Sequence, residues 1–190
     1  MSSTNRSDAR NYHISDYYVT PVNKIIDFID AFVEIEEDFE GKMLDPCAGG
    51  DSNHPMSYPE AFKLCGYLNM DTMDIREDSL ADIKTNYLTY DCKNKYNIIV
   101  TNPPFGLARE IIEKALDDVK DNGFVVMLLR LNFFGGKLRE DLWEKQMPKY
   151  AFVHNRRMSF TDDGKTDSIE YMHCVWQKGY YPEFTMLKVI

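Results

Sequence analysis

Residues 97–105 read Asn-Ile-Ile-Val-Thr-Asn-Pro-Pro-Phe. The first five form a near-continuous apolar run of the kind buried on both faces at the centre of a parallel sheet. The last four mark where that strand stops. Two consecutive prolines fix φ and remove two backbone N–H groups, so the segment offers carbonyls without competing donors. The Asn102 side-chain oxygen and the Pro103 carbonyl together can accept both hydrogens of an amino group, and can support the positive charge that such a nitrogen gains on alkylation. Pro104 leads to Phe105, whose flat ring can stack against an extruded base. A turn at a strand end is the plain alternative, since Asn-Pro often marks one.

Upstream, VNKIIDFIDAF follows Thr20-Pro21 with apolar residues at 22, 25, 26, 29 and 32–33, a spacing that predicts a helix. Pro21 suits its first turn, and Thr20 is placed to cap it. KMLDP predicts a short buried strand. CAGGDSNHPMSYPEAFKLCGYL predicts a glycine-rich loop, then a helix capped by Ser57 or Ser52 and ending near Gly66. YLNMDTMD predicts a second strand. Downstream, LAREIIEKALDDVK has helical spacing, stopped by Asn122-Gly123. GFVVMLLRL predicts another buried strand, KLREDLWEKQM a helix, and YAFVHN and EYMHCVWQK later strands. Strands alternating with helices give an α/β fold with a doubly wound, mostly parallel sheet. Such sheets bind ligands at the carboxyl ends of their strands, which directs attention to residues 45–50, to Asp74 and to residues 102–105.

The length of 190 residues fits one domain. The longest apolar run is the six residues Phe124 to Leu129, against roughly 20 for a bilayer span, so no membrane segment is expected. Residues 1–15 are polar, lack the apolar region of a secretory signal and predict a flexible tail. Cys47, Cys65, Cys92 and Cys174 are scattered singly, without zinc-ligand spacing, so neither a metal site nor a disulfide framework is expected and a reducing cytoplasm is the simpler setting. The net charge of −9 opposes a polyanionic partner. Its distribution softens that objection: residues 122–160 hold Arg130, Lys137, Arg139, Lys145, Lys149, Arg156 and Arg157 against Glu140, Asp141 and Glu144. A modest basic face and an ordinary solvated surface are both open there.

Asn102-Pro103-Pro104-Phe105 at a strand end resembles the catalytic Pro-Pro-aromatic motif of the amino-methyltransferases, especially the small phage-type N6-adenine DNA methyltransferases. The family places an S-adenosylmethionine loop, Asp-Pro-x-x-Gly-x-Gly, on its first strand; Asp45-Pro46-Cys47-Ala48-Gly49-Gly50 holds that place about 55 residues upstream. This copy departs from the family at Gly50 and Asp51. Tyr18-Val19-Thr20-Pro21 is similar to the family's Tyr-x-Thr-Pro element, which lines the methionine end of the cofactor. Asp74 matches the acidic residue that accepts hydrogen bonds from the ribose, with Ile75 against the adenine and Arg76 beside it; Asp71 is a rival for the ribose role. Asn86-Tyr87-Leu88 matches the Asp-plus-apolar element reading the cofactor's adenine amino group, with Asn in place of Asp. Near the C-terminus, Arg157-Met158-Ser159-Phe160 resembles an Arg-x-Ser-Phe segment of the phage-type enzymes. Ser159 and Phe160 would then help enclose the target base, and Arg156 and Arg157 would contact phosphates.

The resemblance covers roughly residues 17–178. It implies a single Rossmann-like class I S-adenosylmethionine-dependent methyltransferase domain over 1–190, with no separate target-recognition domain. The implied activity is direct transfer of the cofactor's methyl group to N6 of adenine in DNA, releasing S-adenosylhomocysteine, with no metal and no covalent enzyme intermediate. The same motif serves RNA adenine and protein glutamine methylation, and a non-catalytic cofactor-binding subunit is a further alternative. A homodimer or an accessory recognition subunit would compensate for the absent recognition domain. The phage-type resemblance suggests a phage- or mobile-element-encoded protein working in a bacterial cytoplasm.

Overall fold

The structure is a computed structural model that describes residues 18–36 and 38–190; the tail expected over 1–15 lies outside them. The strands are β1 (Met43–Asp45), β2 (Met70–Asp74), β3 (Ile83–Lys84), β4 (Ile98–Thr101), β5 (Phe124–Arg130), β6 (Tyr150–Val153), β7 (Tyr171–Gln177) and β8 (Met186–Val189). They form one sheet in the order β3-β2-β1-β4-β5-β7-β6-β8. Strand β7 is antiparallel to both β5 and β6, and every other pairing is parallel. The expected α/β, doubly wound, mostly parallel sheet is what the chain builds.

Alternation along the strands divides the core into two layers. Helices α1 (Val22–Val33) and α2 (Ser57–Leu64) lay Phe28, Phe32 and Phe62 against Met43, Ile98, Val100 and Val126. Helix α3 (Ala108–Asp118) lays Ile111, Ile112 and Ala115 against Leu44, Ile99, Val125 and Met127. Adjacent residues of β4 thus face opposite layers. This is why β4 carries no polar position until Thr101, which is itself buried.

Several local expectations are corrected. Thr20 does not cap α1: Pro21 occupies the N-cap in extended conformation, with its carbonyl accepting from Lys24 N–H at 3.0 Å. Neither Ser52 nor Ser57 caps α2, which starts at Ser57 after Met56. The KLREDLWEKQM segment is only partly α-helical: a 3-10 turn over Lys137–Arg139 precedes a short α4 (Glu140–Lys145). Strands β3 and β8 were not expected. Both are edge strands, too short for a clear period-two signal.

Candidate active site

Strand β1 ends in a turn that only glycine makes comfortably. Gly49 and Gly50 have φ of 64° and 74°, the left-handed region that costs other residues conformational energy. A Cβ on Gly50 would stand 2.8 Å from Met56 Cγ. The turn is tied to β2 by Ala48 N–H donating to the Met73 carbonyl at 2.9 Å and by Gly49 N–H donating to Asp74 Oδ2 at 2.8 Å. Asp74 Oδ1 accepts Arg76 N–H at 2.8 Å. Two backbone donors therefore fix this buried carboxylate, and each oxygen keeps a lone pair for a further donor.

Asp71 sits differently. It accepts from the Tyr96 hydroxyl at 2.7 Å and pairs with Lys42 at 2.7 Å, at the opposite end of β2. Asp71→Asn is therefore expected to leave ligand affinity at the glycine turn unchanged, while Asp74 variants lose it; calorimetric titration of the two variants side by side checks this.

Beyond β4, the Asn102 amide is held by Thr20: its Nδ2 donates to Thr20 Oγ1 at 3.0 Å. Its Oδ1 is buried and has no hydrogen-bond partner among the described residues. Leu107 N–H donates to the Pro104 carbonyl at 3.0 Å, and no backbone N–H among the described residues bonds that of Pro103. A bare amide oxygen and an unengaged carbonyl thus sit on consecutive residues, in a segment whose prolines offer no donors. An unsatisfied buried acceptor costs about 1–3 kcal/mol, so an entering N–H donor would be favoured here.

These strand ends enclose a cleft of about 800 Å3 including its open mouth, a size suited to a small-molecule ligand. Thr20, Pro46, Cys47, Ala48, Asp74, Ile75, Asn86, Tyr87, Asn102 and Pro104 line it. Of the other expected residues, Pro21, Asp45, Gly49, Pro103 and Phe105 are not part of that lining. Ile75, 60% exposed, is an open apolar wall. Asn86 Oδ1 accepts Leu88 N–H at 3.0 Å and caps the 3-10 turn that seats Tyr87, leaving its NH2 as donor. Asp51 caps its own loop through Asn53 and His54 N–H, at 2.7 and 3.0 Å.

Burial dominates the electrostatics. It pushes the Asp45 carboxyl up to about 7, with nearby Asp74 adding to the rise and Thr101 and Cys47 N–H opposing it. Burial, with Asp45 and Asp74 close by, also pushes the Cys47 thiol up, so Cys47 stays protonated and is no nucleophile.

The expected target side departs from the sequence reading. Phe105 does not present an open ring: the Arg130 guanidinium lies 3.8 Å from its centroid, and Tyr18 and Tyr171 pack at 5.7 and 6.2 Å. Phe160 is buried beside Tyr171 at 4.8 Å, and the Ser159 hydroxyl donates to the Thr161 carbonyl within its own loop at 3.0 Å. Arg157 pairs with Glu170 at 3.1 Å, while Arg156 is exposed. Elsewhere in the basic stretch Lys149 pairs with Glu36, and Arg139 donates to the backbone carbonyls of Phe133 and Gly135.

No family model and no curated protein matches the chain. Solved structures do. A candidate class I S-adenosylmethionine-dependent methyltransferase from Listeria monocytogenes superposes with a TM-score of 0.62 at 13% identity, over 95% of this chain and 68% of that one. A candidate RNA methyltransferase from Pyrococcus horikoshii gives 0.64 at 15% identity, over 86% and 88%. The fold is that of the class I methyltransferases. The methyltransferase subunit of a type I restriction-modification system from Streptococcus thermophilus gives 0.56 at 13% identity, and this chain covers 88% of itself but 46% of that subunit.

Within this methyltransferase fold, Ser57, Tyr58, Leu107 and Ile111 also line the cleft and escaped the sequence reading. Tyr58 meets His173 Nε2 at 3.0 Å, and His173 meets His154 at 2.8 Å. Nothing in the local sequence pairs residues 58, 154 and 173. Leu107 and Ile111 read as ordinary apolar positions of a helix.

Proposed function

We propose that this chain is an S-adenosylmethionine-dependent methyltransferase that methylates N6 of adenine in DNA. The observation that carries the reading is the buried, partnerless Oδ1 of Asn102 beside the Pro103 carbonyl. Two acceptors on consecutive residues suit the two hydrogens of a conjugated amino group. In this reading residues 1–190 act as one methyltransferase domain in a bacterial cytoplasm, phage-encoded, and lean on an accessory recognition subunit for site choice. Among the described residues no helix is long and apolar enough to cross a membrane.

The residues fit the cofactor by the chemistry of their free groups. Asp74 offers one lone pair on each oxygen to the ribose hydroxyls. Ile75 offers an apolar wall to the adenine, and the Asn86 NH2 suits a ring nitrogen of that base. Thr20, Pro46, Cys47 and Ala48 line the part of the cleft assigned to the methionine end. Bound there, the cofactor supplies an electrophilic methyl group on a sulfonium.

Asn102 Oδ1 and the Pro103 carbonyl draw the substrate's two N–H bonds out of the ring plane, so that the nitrogen lone pair is freed from conjugation and aimed at that methyl. Holding this geometry is worth several powers of ten in rate. Transfer would exchange the sulfonium's S–C bond for a new N–C bond, and the nitrogen would then give up its extra proton to water. The two acceptors stabilise the positive charge in the interval. Arg130 and Phe105 form the wall on the substrate side.

Asp45 makes binding pH-dependent. A cationic ligand in the cleft favours its ionised form, so below about pH 7 binding must release a proton and affinity falls by up to about tenfold per pH unit. Titration calorimetry from acid to alkaline pH is expected to show this slope in the wild type and a flat profile in Asp45→Asn.

Protein glutamine as substrate is the second reading. It is favoured by the net charge of −9 and by the pairing of Arg157 and Lys149 with carboxylates, which occupies two of the cations that phosphates would need. Incubation with methyl-labelled cofactor, followed by counting DNA, RNA and protein separately, tests both: label in DNA supports the proposal. Cofactor binding without label in any fraction would make the chain a non-catalytic subunit.

A further inference from the structure

Six exposed large apolar side chains crowd the last eleven residues: Tyr180, Tyr181, Phe184, Met186, Leu187 and Val189. Three of them lie on β8, the last strand of the sheet, whose one neighbour among the described residues is β6. Met186 and Ile190 N–H donate inward, to the carbonyls of Lys149 and Val153 at 3.1 and 2.8 Å. The two-residue period of a strand places Lys188 with them. Leu187 and Val189 therefore turn their N–H and C=O groups to the outer edge, where no strand among the described residues meets them. Their side chains are 59% and 58% exposed, and Met186 on the other face is 54% exposed. Such an edge, with bare backbone groups and apolar side chains on both faces, is a template for another strand.

We infer that the outer edge of β8 pairs with β8 of a second copy of this chain, joining two sheets across a two-fold axis. Charge and length both point to the chain itself as partner. The strand's one charged group, Lys188, is already paired with Glu34, so the edge neither repels its own copy nor selects a charged partner. At the other end of the sheet β3 has two residues, too few to receive β8 and start an open head-to-tail polymer. Two β8 edges match in length, and a two-fold axis makes them antiparallel. With Leu187 opposite its own copy, the two residues exchange both N–H···O bonds, and Met186 meets Lys188 rather than lysine meeting lysine. The Leu187 pair then covers one face, and each Met186 packs along the aliphatic stem of a Lys188 on the other. Strands β5, β7 and β6 separate this edge from β4, so pairing leaves the cleft accessible. The inference stands apart from the chemistry proposed for that cleft.

Light scattering of the full chain tests it. At about 10 μM protein, where a Kd of about 1 μM leaves most chains paired, the mass is expected to be twice the 22.2 kDa of one chain. Leu187→Pro removes an outward N–H and none of the bonds to β6, and Val189→Lys sets a charge on the same edge. Both variants are expected to give the single-chain mass with the wild-type far-UV spectrum and cofactor affinity. Should Leu187→Pro lose its fold, Val189→Lys decides alone. A wild-type monomer at that concentration would leave the edge to some other protein and overturn the inference. A folded Val189→Lys that remains a dimer would overturn it equally.

Discussion

Replacing Asn102 by alanine is expected to lower methyl transfer by about 10²–10³-fold, the scale seen when one preorganised polar group is removed from a reacting centre. Cofactor affinity should change little, because the part of Asn102 assigned to chemistry is the oxygen that has no hydrogen-bond partner among the described residues. Stability should hold too. The substitution deletes the hydrogen bond to Thr20, worth about 1 kcal/mol, but also removes a buried acceptor left unsatisfied, a cost of similar size. Single-turnover rates, calorimetry and thermal melts on the same preparation separate these effects. A parallel fall in affinity and rate would instead make Asn102 a cofactor contact.

Asp74→Ala is expected to do the reverse, with the larger effect on binding. Two hydrogen bonds from ribose hydroxyls to an ionised acceptor are worth about 1.5–3 kcal/mol each, so the dissociation constant for S-adenosylhomocysteine should rise at least about 100-fold. The same change strips Gly49 and Arg76 N–H of their acceptor, so the glycine turn loosens and the melting temperature falls. Asp74→Asn keeps one acceptor oxygen but turns an NH2 toward one of those N–H groups, and should bind weakly for that reason. Wild-type affinity in either variant, measured by calorimetry, would remove Asp74 from the cofactor site.

Much of this arrangement was legible because it depends on local chemistry. The run Ile98–Val100 could only be a strand buried on both faces. Adjacent glycines after Asp45-Pro46 announced a glycine-rich loop, and two prolines after Asn102 announced a segment without donors. What was not legible depends on long-range geometry. Asp71 and Asp74 lie on one short strand, and the sequence does not say which of them faces the cleft; the partners Lys42 and Tyr96 decide it. Thr20 looked like a helix cap, and its role as the anchor of the Asn102 amide appears only when residues 82 apart in sequence meet. The Phe105 ring looked open, yet Arg130, three residues beyond the β4–β5 pairing of Thr101 with Met127, covers it. Strand β8 was missed because four residues carry almost no periodic signal.

The central claim is that Asn102 and Pro103 hold an adenine amino group in line with a methyl donor, and product identity tests it most directly. Adenine-bearing DNA is incubated with the chain and cofactor carrying a deuterated methyl group, digested to nucleosides and weighed by mass spectrometry. The wild type is expected to give N6-methyl-2′-deoxyadenosine carrying the deuterated methyl, and Asn102→Ala almost none. Label on any other nucleoside, label in protein alone, or equal yields from the two chains would contradict it.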